Sequence, residues 1–364
     1  MTVLQEQTPT LSIRTVRSSE ATELYITAMP GSGAAAEQAT DLYRRIAAEL
    51  RREDAAITGE RIFAGESAFA DVLPARAAAL GDIDDGVKPS LLLACEHDGI
   101  LGVQVHAISG IGSPAVLPGA RKYICRGRSY LEGSGLHAPA LPDGPSQARR
   151  TFEMMGDLVR RSGASLSDVA RTWLWMDEIL NWYPQLNKVR NDYFTQQGLF
   201  SRPGGMPAST GIGISPRSAR IALDFLAAWG ADGIVQRFHA IGNQRSAYEY
   251  GSAFARASQV QTPGGVTVFC SGTAAIDGAG KTCHLGDIAG QVAMTIDNVH
   301  AVLRDMHCQS SDVVQAMAYC ATPAVAEHFA AEYRDALGWP VLTMLGDVCR
   351  GDLLFEIEVT ACPK

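Results

Sequence analysis

The sequence has little charge and no long apolar segment. Charged residues make up 19% of its 364 residues, and the formal net charge is −8. The clustered Lys and Arg that a phosphate backbone requires are missing, so we expect no nucleic-acid partner. No apolar run approaches the roughly 18 residues of a membrane span, so we expect no membrane partner either. The stretch 1–14 lacks the apolar region of a signal peptide, which predicts a cytoplasmic protein.

Paired cysteines are also missing. The eight cysteines stand at positions 95, 125, 270, 283, 308, 320, 349 and 362, and no two form a C-x-x-C pair. Cys283 is adjacent to His284, but no second pair at ligand spacing accompanies them. We therefore expect reduced, mostly buried thiols and no metal site. Hydrophobic residues make up 46% of the chain, which is ample for a buried core, and the length allows two or three domains.

The last two-thirds of the chain contains one module twice. Gln147 and Gln291 each open a stretch with apolar residues at helical spacing, and a Ser-Asp-Val sequence follows each, with its Asp 21 residues after the Gln. A strand-like run, a second helix, a proline and two short strands then follow in both copies. We interpret each module as strand-strand-helix-strand-helix-strand-strand, an α+β sandwich with both helices on one face of the sheet.

These patterns predict three regions. The modules are predicted to span 121–235 and 236–364, with second helices over 183–194 and 324–337. The N-terminal lobe, 1–120, aligns with neither module, and whether it is a third, diverged copy stays open. Within it we predict a helix over 36–52 and a hairpin over 90–108 with Asp98–Gly99 as its turn.

The second module resembles the RidA/YjgF family along its length. That resemblance implies trimers with active sites between subunits and, in many members, imine deamination with an arginine just after the proline. Val341 holds that position here and Ala208 holds it in the first copy, which argues against ordinary enamine or imine hydrolysis. The matching residues are Phe269–Gly272, Gly286–Ile288, Gln291, Asn298, Ser311–Val313, Pro340 and Phe355–Glu358.

The chain as a whole resembles the chorismatase family, which is built from RidA-like (chorismate-mutase-like) modules as an intramolecular pseudo-oligomer. The residues that carry this resemblance are Arg171–Trp173, Tyr183–Phe194, Pro207–Gly213, Ser246–Tyr248, Ser271–Ala274 and Asp347–Glu358. The resemblance implies hydrolysis of the enolpyruvyl ether of chorismate to pyruvate and a ring product. No cofactor or metal is required for that reaction. We expect a monomer or weak dimer, because contacts made elsewhere between chains can be made here within one chain.

Glu356 is the predicted general acid. A vinyl ether hydrolyses by protonation at carbon, which needs an acid that is protonated near neutral pH, and a buried carboxyl group can serve. Glu356 and Glu358 alternate with apolar residues in a strand-like run and so share one face, which is either solvated or buried. The first copy has Leu223 at the equivalent position, 16 residues past the proline in each copy. A solvated face would not require one copy to be apolar and the other acidic.

Cys349 stands seven residues before Glu356. In the resembled family a cysteine at this spacing assists aromatisation, which implies 3-hydroxybenzoate as product rather than 3,4-dihydroxycyclohexa-1,5-dienoate. A buried, inert thiol is the alternative interpretation of Cys349. An odd separation places two residues on opposite faces of a straight strand, and a turn at Gly351–Asp352 is expected to undo that parity.

The substrate carries two carboxylates, which predicts one or two arginine partners. Asn187 and Arg190 share one helix face at i and i+3, and in RidA-like trimers the equivalent asparagine reaches a neighbouring site. The alternative is ordinary polarity of a helix surface. The sequence does not choose among Arg128, Arg190, Arg217 and Arg245 as the carboxylate partner. Further substrate-binding candidates lie in a predicted loop and turn that offer hydroxyls and backbone N–H groups; they are Thr210, Gly211, Gly272, Thr273 and Ala274. Tyr248 is a separate candidate.

Two other functions stay open. The missing arginine at 341 is consistent with a non-catalytic, RidA-like binder of small metabolites. An imine deaminase that uses another arginine is the remaining alternative.

Overall fold

The computed structural model describes residues 2–94, 99–200 and 205–363. Within them the chain forms three six-stranded mixed sheets, each accompanied by helices packed on one face. The predicted α+β fold of tandem modules is therefore confirmed. Among the described residues, no helix is long and apolar enough to cross a membrane.

The first sheet is built from the N-terminal segment. Its strands are β1 (Thr2–Thr8), β2 (Leu11–Arg17), β3 (Thr22–Ala28), β4 (Ala55–Ala64), β5 (Ser90–Leu93) and β6 (Ile100–Ser109), and its helices are α1 (Ala35–Arg52) and α2 (Phe69–Leu80). Helix α1 packs on the sheet because its apolar residues recur at helical spacing; Ala39, Leu42, Ile46 and Leu50 are buried.

The second and third sheets follow in chain order. The second contains β7 (Ala115–Leu117), β8 (Ala120–Cys125), β9 (Arg128–Leu136), α3 (Gly144–Arg161), β10 (Val169–Met176), α4 (Ile179–Gln196), β11 (Ala208–Ile212) and β12 (Ile221–Trp229). The third contains β13 (Val235–Phe238), β14 (Ala257–Gln261), β15 (Val266–Ala274), α5 (Ile288–Asp305), β16 (Val313–Cys320), α6 (Pro323–Phe329), β17 (Val341–Leu345) and β18 (Phe355–Ala361). A π-helical turn, Ala330–Arg334, and a short turn of helix extend α6 to Leu337.

All three sheets have the same strand order. The first three strands of each module are followed across the sheet by its sixth, fourth and fifth strands, and only the fourth and fifth pair in parallel. The N-terminal segment is thus a third copy of the topology, although its sequence does not align with the other two. The second and third modules begin with three strands, whereas the sequence predicted two, because the edge strands β7 and β13 have only three and four residues.

The predicted hairpin over 90–108 is wrong. Strands β5 and β6 do not pair with each other; they lie on opposite sides of β4, with β5 parallel and β6 antiparallel to it. A turn signal between two apolar runs does not distinguish neighbouring strands from strands separated by a third one. Of the predicted turn, Asp98 lies outside the described residues.

The recurring glutamine ties each first helix to the last strands of its module. Gln147 is buried near the start of α3, and its Oε1 accepts from the Arg220 backbone N–H at 2.8 Å. Gln291 occupies the same place in α5, where its Oε1 accepts from the Leu354 N–H at 2.8 Å and its Nε2 donates to the Asp352 carbonyl at 2.8 Å. A buried chain that enters a strand leaves backbone groups to be paired, and the amide side chain satisfies them.

The face of each sheet that is not covered by its own helices points to the centre of the molecule. Aromatic side chains from all three modules meet there: Phe63 contacts Trp175 edge to face at 5.7 Å between centroids, and Trp173 contacts Phe269 in the same way at 6.2 Å. Backbone bridges join the first module to the second at Leu92–Pro216 and the second to the third at Gly213–Asp347. The Gln104 Nε2 donates to the Ala316 carbonyl at 3.0 Å between the first and third modules. The chain therefore contains three interfaces between modules.

Candidate active site between the second and third modules

Glu356 lies on the central face of β18 and is buried. Phe355 and Ile357 belong to the core between the third sheet and its helices, so Glu356 and Glu358 point to the opposite face. Glu356 is 5% exposed and Glu358 is 4% exposed. The alternative of a solvated sheet face is therefore excluded.

Glu358 is fully engaged with the second module. It accepts from the Arg171 Nη2 at 2.6 Å and from the Trp173 Nε1 at 2.7 Å, and the Thr210 hydroxyl donates to it as well. The Thr210 Oγ1 also accepts from the Gly272 backbone N–H at 2.9 Å. A buried carboxylate with this many donors is a cross-link between modules. Glu356 takes no part in this cross-link.

Glu356 is protonated at neutral pH. Its burial and the nearby Glu358 carboxylate raise its pKa to about 8, and the Arg256 and Arg171 guanidinium groups oppose the rise. The Gly272 backbone lies directly against the Glu356 carboxyl group, so a side chain at position 272 would occupy the same space. The geometry thus provides an acid of the strength that protonation of carbon near pH 7 requires.

Glu356 faces a small cavity between the second and third modules. Its volume is about 40 Å³, and it adjoins a wider cleft of about 680 Å³ that shares Tyr183, Ser252, Cys349 and Arg350 with it. The residues that line the inner cavity are Tyr183, Arg190, Ser209, Gly211, Ser252, Phe254, Arg256, Gly272, Ala274, Ile276, Cys349, Arg350 and Glu356. A concave site in which charged side chains converge beside apolar ones, here Arg190, Arg256, Arg350 and Glu356, is typical of small-molecule binding.

Cys349 and Glu356 line the same cavity. The chain turns at Gly351–Asp352 before β18 begins, so the odd spacing between the two residues does not separate them. Burial and the neighbouring Glu356 raise the pKa of the Cys349 thiol to about 12, against the opposing effects of Arg350 and of a hydrogen bond with Tyr183. The thiol is therefore protonated at neutral pH and is a poor nucleophile in that form.

Helix α4 contributes a second polar group to the cavity. The Arg190 Nη2 donates to the Asn187 Oδ1 at 2.6 Å, Arg190 is 3% exposed, and its Nε is without a hydrogen-bond partner among the described residues. Burial lowers the pKa of Arg190, while a hydrogen bond with Tyr183 opposes this. Asn187 lines the outer cleft. The shared helix face predicted for Asn187 and Arg190 thus faces the cavity and the cleft.

The other predicted binding residues divide into two groups. Gly211, Gly272 and Ala274 line the cavity. Thr210 is bonded to Glu358, and the Thr273 hydroxyl donates to the Ser271 carbonyl at 2.9 Å. These residues belong to strands β11 and β15 rather than to a loop and a turn, and a bulge between Cys270 and Thr273 accounts for the turn-like Gly/Ser sequence.

Tyr248 is not among the residues that line the cavity. It is 47% exposed, and its ring stacks on Phe200 at 4.7 Å between centroids. Of the four arginines considered from sequence, Arg190 alone lines the inner cavity. Arg256 and Arg350 also line it, and sequence reasoning missed them, together with Tyr183, Ser252 and Phe254.

The counterpart of Glu356 in the second module is Ala222 and not Leu223. Trp175 and Tyr319 are the seventh residues of β10 and β16, and they pair with Ala222 and Glu356 respectively. The side chain of Leu223 points instead into the core beside the helices. Counting from the proline fails because two things differ between the copies: the register of the fifth strand on the fourth and the length of the segment that joins the fifth strand to the sixth. The contrast between an apolar and an acidic position remains.

The described residues contain no group of three or more His, Cys, Asp or Glu that could hold a metal ion. The seven described cysteines are free thiols, and five of them are buried. Cys95 lies outside the described residues.

Comparisons with known proteins agree with this architecture. A family model described as Endoribonuclease L-PSP matches residues 251–362. A solved chorismatase shares 21% sequence identity over 84% of this chain and 93% of its own, with a TM-score of 0.63. A putative endoribonuclease of Thermotoga maritima shares 19% identity over 35% of this chain and 98% of its own, with a TM-score of 0.30. The yeast protein Mmf1 shares 16% identity over 36% of this chain and 99% of its own, with a TM-score of 0.29. No curated protein matches the sequence. The chorismatase likeness shows a shared fold.

Proposed function

We propose that this chain hydrolyses the enolpyruvyl ether of chorismate, releasing pyruvate and a six-membered-ring product. The observation that carries the proposal is the buried Glu356 carboxyl group, whose pKa of about 8 keeps it protonated in an enclosed cavity. The fold shared with a chorismatase supports the choice of substrate. The sequence resemblance at residues 207–213 and 347–358 supports it independently.

In the proposed reaction Glu356 donates its proton to the terminal carbon of the enolpyruvyl group. The resulting oxocarbenium-like cation is intercepted by water or a ring hydroxyl, and collapse of the adduct releases pyruvate. The Arg256 and Arg171 guanidinium groups, which lower the pKa of Glu356, stabilise the carboxylate that forms. Proton return from solvent or product completes the cycle.

The two substrate carboxylates require cationic partners. Arg190, Arg256 and Arg350 line the inner cavity, and Arg190 has an Nε that no described group pairs. We assign Arg190 to one carboxylate, because a buried guanidinium gains most from a charge-assisted bond. Gly272 leaves room for the Glu356 carboxyl group, which lies directly against its backbone.

The proposed ring product is 3-hydroxybenzoate. Aromatisation requires loss of a ring proton and of a hydroxyl group as water. We infer that the Cys349 thiol, which lines the same cavity as Glu356, donates its proton to the departing hydroxyl group and, as the resulting thiolate, takes up the ring proton.

Incubation with chorismate tests the proposal. Pyruvate is assayed with lactate dehydrogenase, and the ring product is separated by HPLC. We expect pyruvate with 3-hydroxybenzoate from the native chain, and a shift toward the non-aromatic dihydroxycyclohexadienoate from Cys349→Ala. The matched control is Cys320→Ala, because Cys320 is buried in β16 on the helix side and away from the cavity. Absence of pyruvate contradicts the function, and a non-aromatic product from the native chain contradicts the role of Cys349.

The pH dependence of turnover provides a separate prediction. An acid catalyst acts in its protonated form, so kcat/KM is expected to be level below about pH 8 and to fall about tenfold per pH unit above it. An unperturbed glutamate would place this fall near pH 4–5. A profile that falls there instead would show that Glu356 is not the acid.

A non-catalytic metabolite binder is the second candidate. Buried Val341 and Ala208 stand where RidA-like deaminases resembled by the sequence carry their arginine, so this chain lacks that anchor. Under this alternative Glu356→Ala leaves ligand binding unchanged and no substrate is consumed. We also propose a monomer or weak dimer, because the three modules already contact one another; a stable trimer in sedimentation would contradict that.

A further inference from the structure

A second cavity lies between the first and second modules. Its volume is about 400 Å³. It is lined by α2, by β5 and the segment before it, by the end of β9, and by β12 and the segment before it. The first cavity is built from the equivalent elements one module further along the chain, α4, β11, β15 and β18.

A buried acid with donors of similar type lies beside each cavity. Asp224 accepts from the Arg61 Nε at 2.7 Å, from the Ser90 Oγ at 2.5 Å and from the Trp175 Nε1 at 3.0 Å. Glu358 likewise accepts from an arginine, a hydroxyl and a tryptophan. Only the hydroxyl donors hold equivalent positions, because Arg61 is in register with Trp173 and because Trp175 belongs to the same module as Asp224. Ser90 and Thr210 hold the same register, since their partners Arg61 and Trp173 lie opposite the equivalent positions Gln104 and Asp224. The second cavity is therefore a structural equivalent of the first.

The first cavity contains an acid that the second cavity lacks. Ala222 lines the second cavity at the position that Glu356 holds in the first. At the third interface the equivalent residue is Gly102, and the Leu342 side chain lies so close to it that a Cβ there would clash. The three equivalent interfaces thus comprise one cavity with an acid, one cavity without it, and one filled position. A cavity that is built from the same elements but lacks the acid is suited to binding a ligand without transforming it.

The side chains that line the second cavity indicate the chemical class of its ligand. Leu73, Leu91 and Pro216 provide apolar walls. At the rim, Lys88 is exposed and has no ionic partner among the described residues, and Arg217 donates its Nε to Glu66 while its guanidinium remains about one-third exposed. Apolar walls with cations at the mouth suit a ring that carries one carboxylate. We propose that this second cavity binds a cyclic monocarboxylate of the benzoate type and does not transform it.

Benzoate titration of matched variants tests this. Ala77 lies on an exposed part of α2 and lines the cavity, so Ala77→Trp fills the opening without disturbing the core. Ala78 is the next residue, is equally exposed and does not line it, so Ala78→Trp is the control. By calorimetry we expect Ala77→Trp to lose one equivalent of bound benzoate and Ala78→Trp to retain it. Lys88→Ala is expected to weaken that equivalent by about tenfold, the loss of one charge-assisted bond.

Two results would overturn the proposal. One is unchanged benzoate stoichiometry in Ala77→Trp; the other is equal binding of neutral benzamide, which would show that the carboxylate is not recognised. Ala77→Trp is expected to release pyruvate from chorismate at the native rate. The test is independent of the proposed function, because a chain that releases no pyruvate still reports the loss of bound benzoate in Ala77→Trp.

Discussion

Glu356→Gln is expected to lower the rate of pyruvate release from chorismate by about 100- to 10,000-fold, the usual contribution of a general acid. Glutamine preserves the size and the hydrogen-bonding capacity of the side chain but cannot donate the proton. Because Gly272 packs directly against this carboxyl group, a near-isosteric replacement keeps the cavity intact. We therefore expect kcat to fall with little change in KM.

The same variant is expected to be more stable than the native chain at alkaline pH. The pKa of Glu356 is raised from 4.5 to about 8 in the folded state. Between these values the unfolded chain loses its proton while the folded chain keeps it, so the free energy of unfolding falls as pH rises, by up to about 1.4 kcal/mol per pH unit. Glu356→Gln has no carboxyl group at this position, so its free energy of unfolding does not fall for this reason.

Thermal unfolding at pH 5 and pH 9 measures the effect. We expect the melting temperatures of the native chain and Glu356→Gln to be similar at pH 5, and the variant to melt higher at pH 9. An inactive variant that is destabilised at both values would indicate loss of structure rather than loss of the acid. An active, equally stable variant would contradict both the role and the pKa of Glu356.

The sequence predicted those parts of the fold that depend on local patterns. The amphipathic helices and the paired glutamines were identified because helical periodicity and one buried amide recur in both copies. The sequence of the N-terminal module could not be aligned with those of the other two modules. The reason is that a shared topology requires a similar pattern of apolar residues but not the same residues. The hairpin error at β5 and β6 has the same origin, since which strand lies between two others depends on contacts distant in sequence.

In the candidate site, too, the features that could be predicted are those that depend on residues close in sequence. Cys349 and Glu356 were brought together by a turn that the sequence made visible at Gly351–Asp352. Tyr183 and Arg256 were missed, since they reach the cavity from elements of two different modules. Tyr183 follows a kink at Trp182 in α4, and such a departure from helical geometry has only the nearby Pro184 as a signal. The off-by-one choice of Leu223 shows how a single register shift reverses the face of a side chain.

Arg171→Met is expected to reduce the free energy of unfolding by about 3–5 kcal/mol, because it leaves the buried Glu358 carboxylate without its cationic partner. Urea denaturation measures the loss. The double variant Arg171→Met/Glu358→Gln removes both charges and is expected to recover most of that stability. A loss below about 1 kcal/mol in the single variant, typical of an exposed pair, would show that the Arg171–Glu358 pair does not hold the modules together.

The double variant also tests how the site sets the pKa of Glu356. After burial, the Glu358 carboxylate is the largest cause that raises this pKa, and it outweighs the opposing Arg171. Removing both charges is therefore expected to lower the pKa and to move the alkaline fall of kcat/KM to a lower pH. A fall that stays near pH 8 would assign the raised pKa to burial alone, and a shift to higher pH would mean that Arg171 outweighs Glu358.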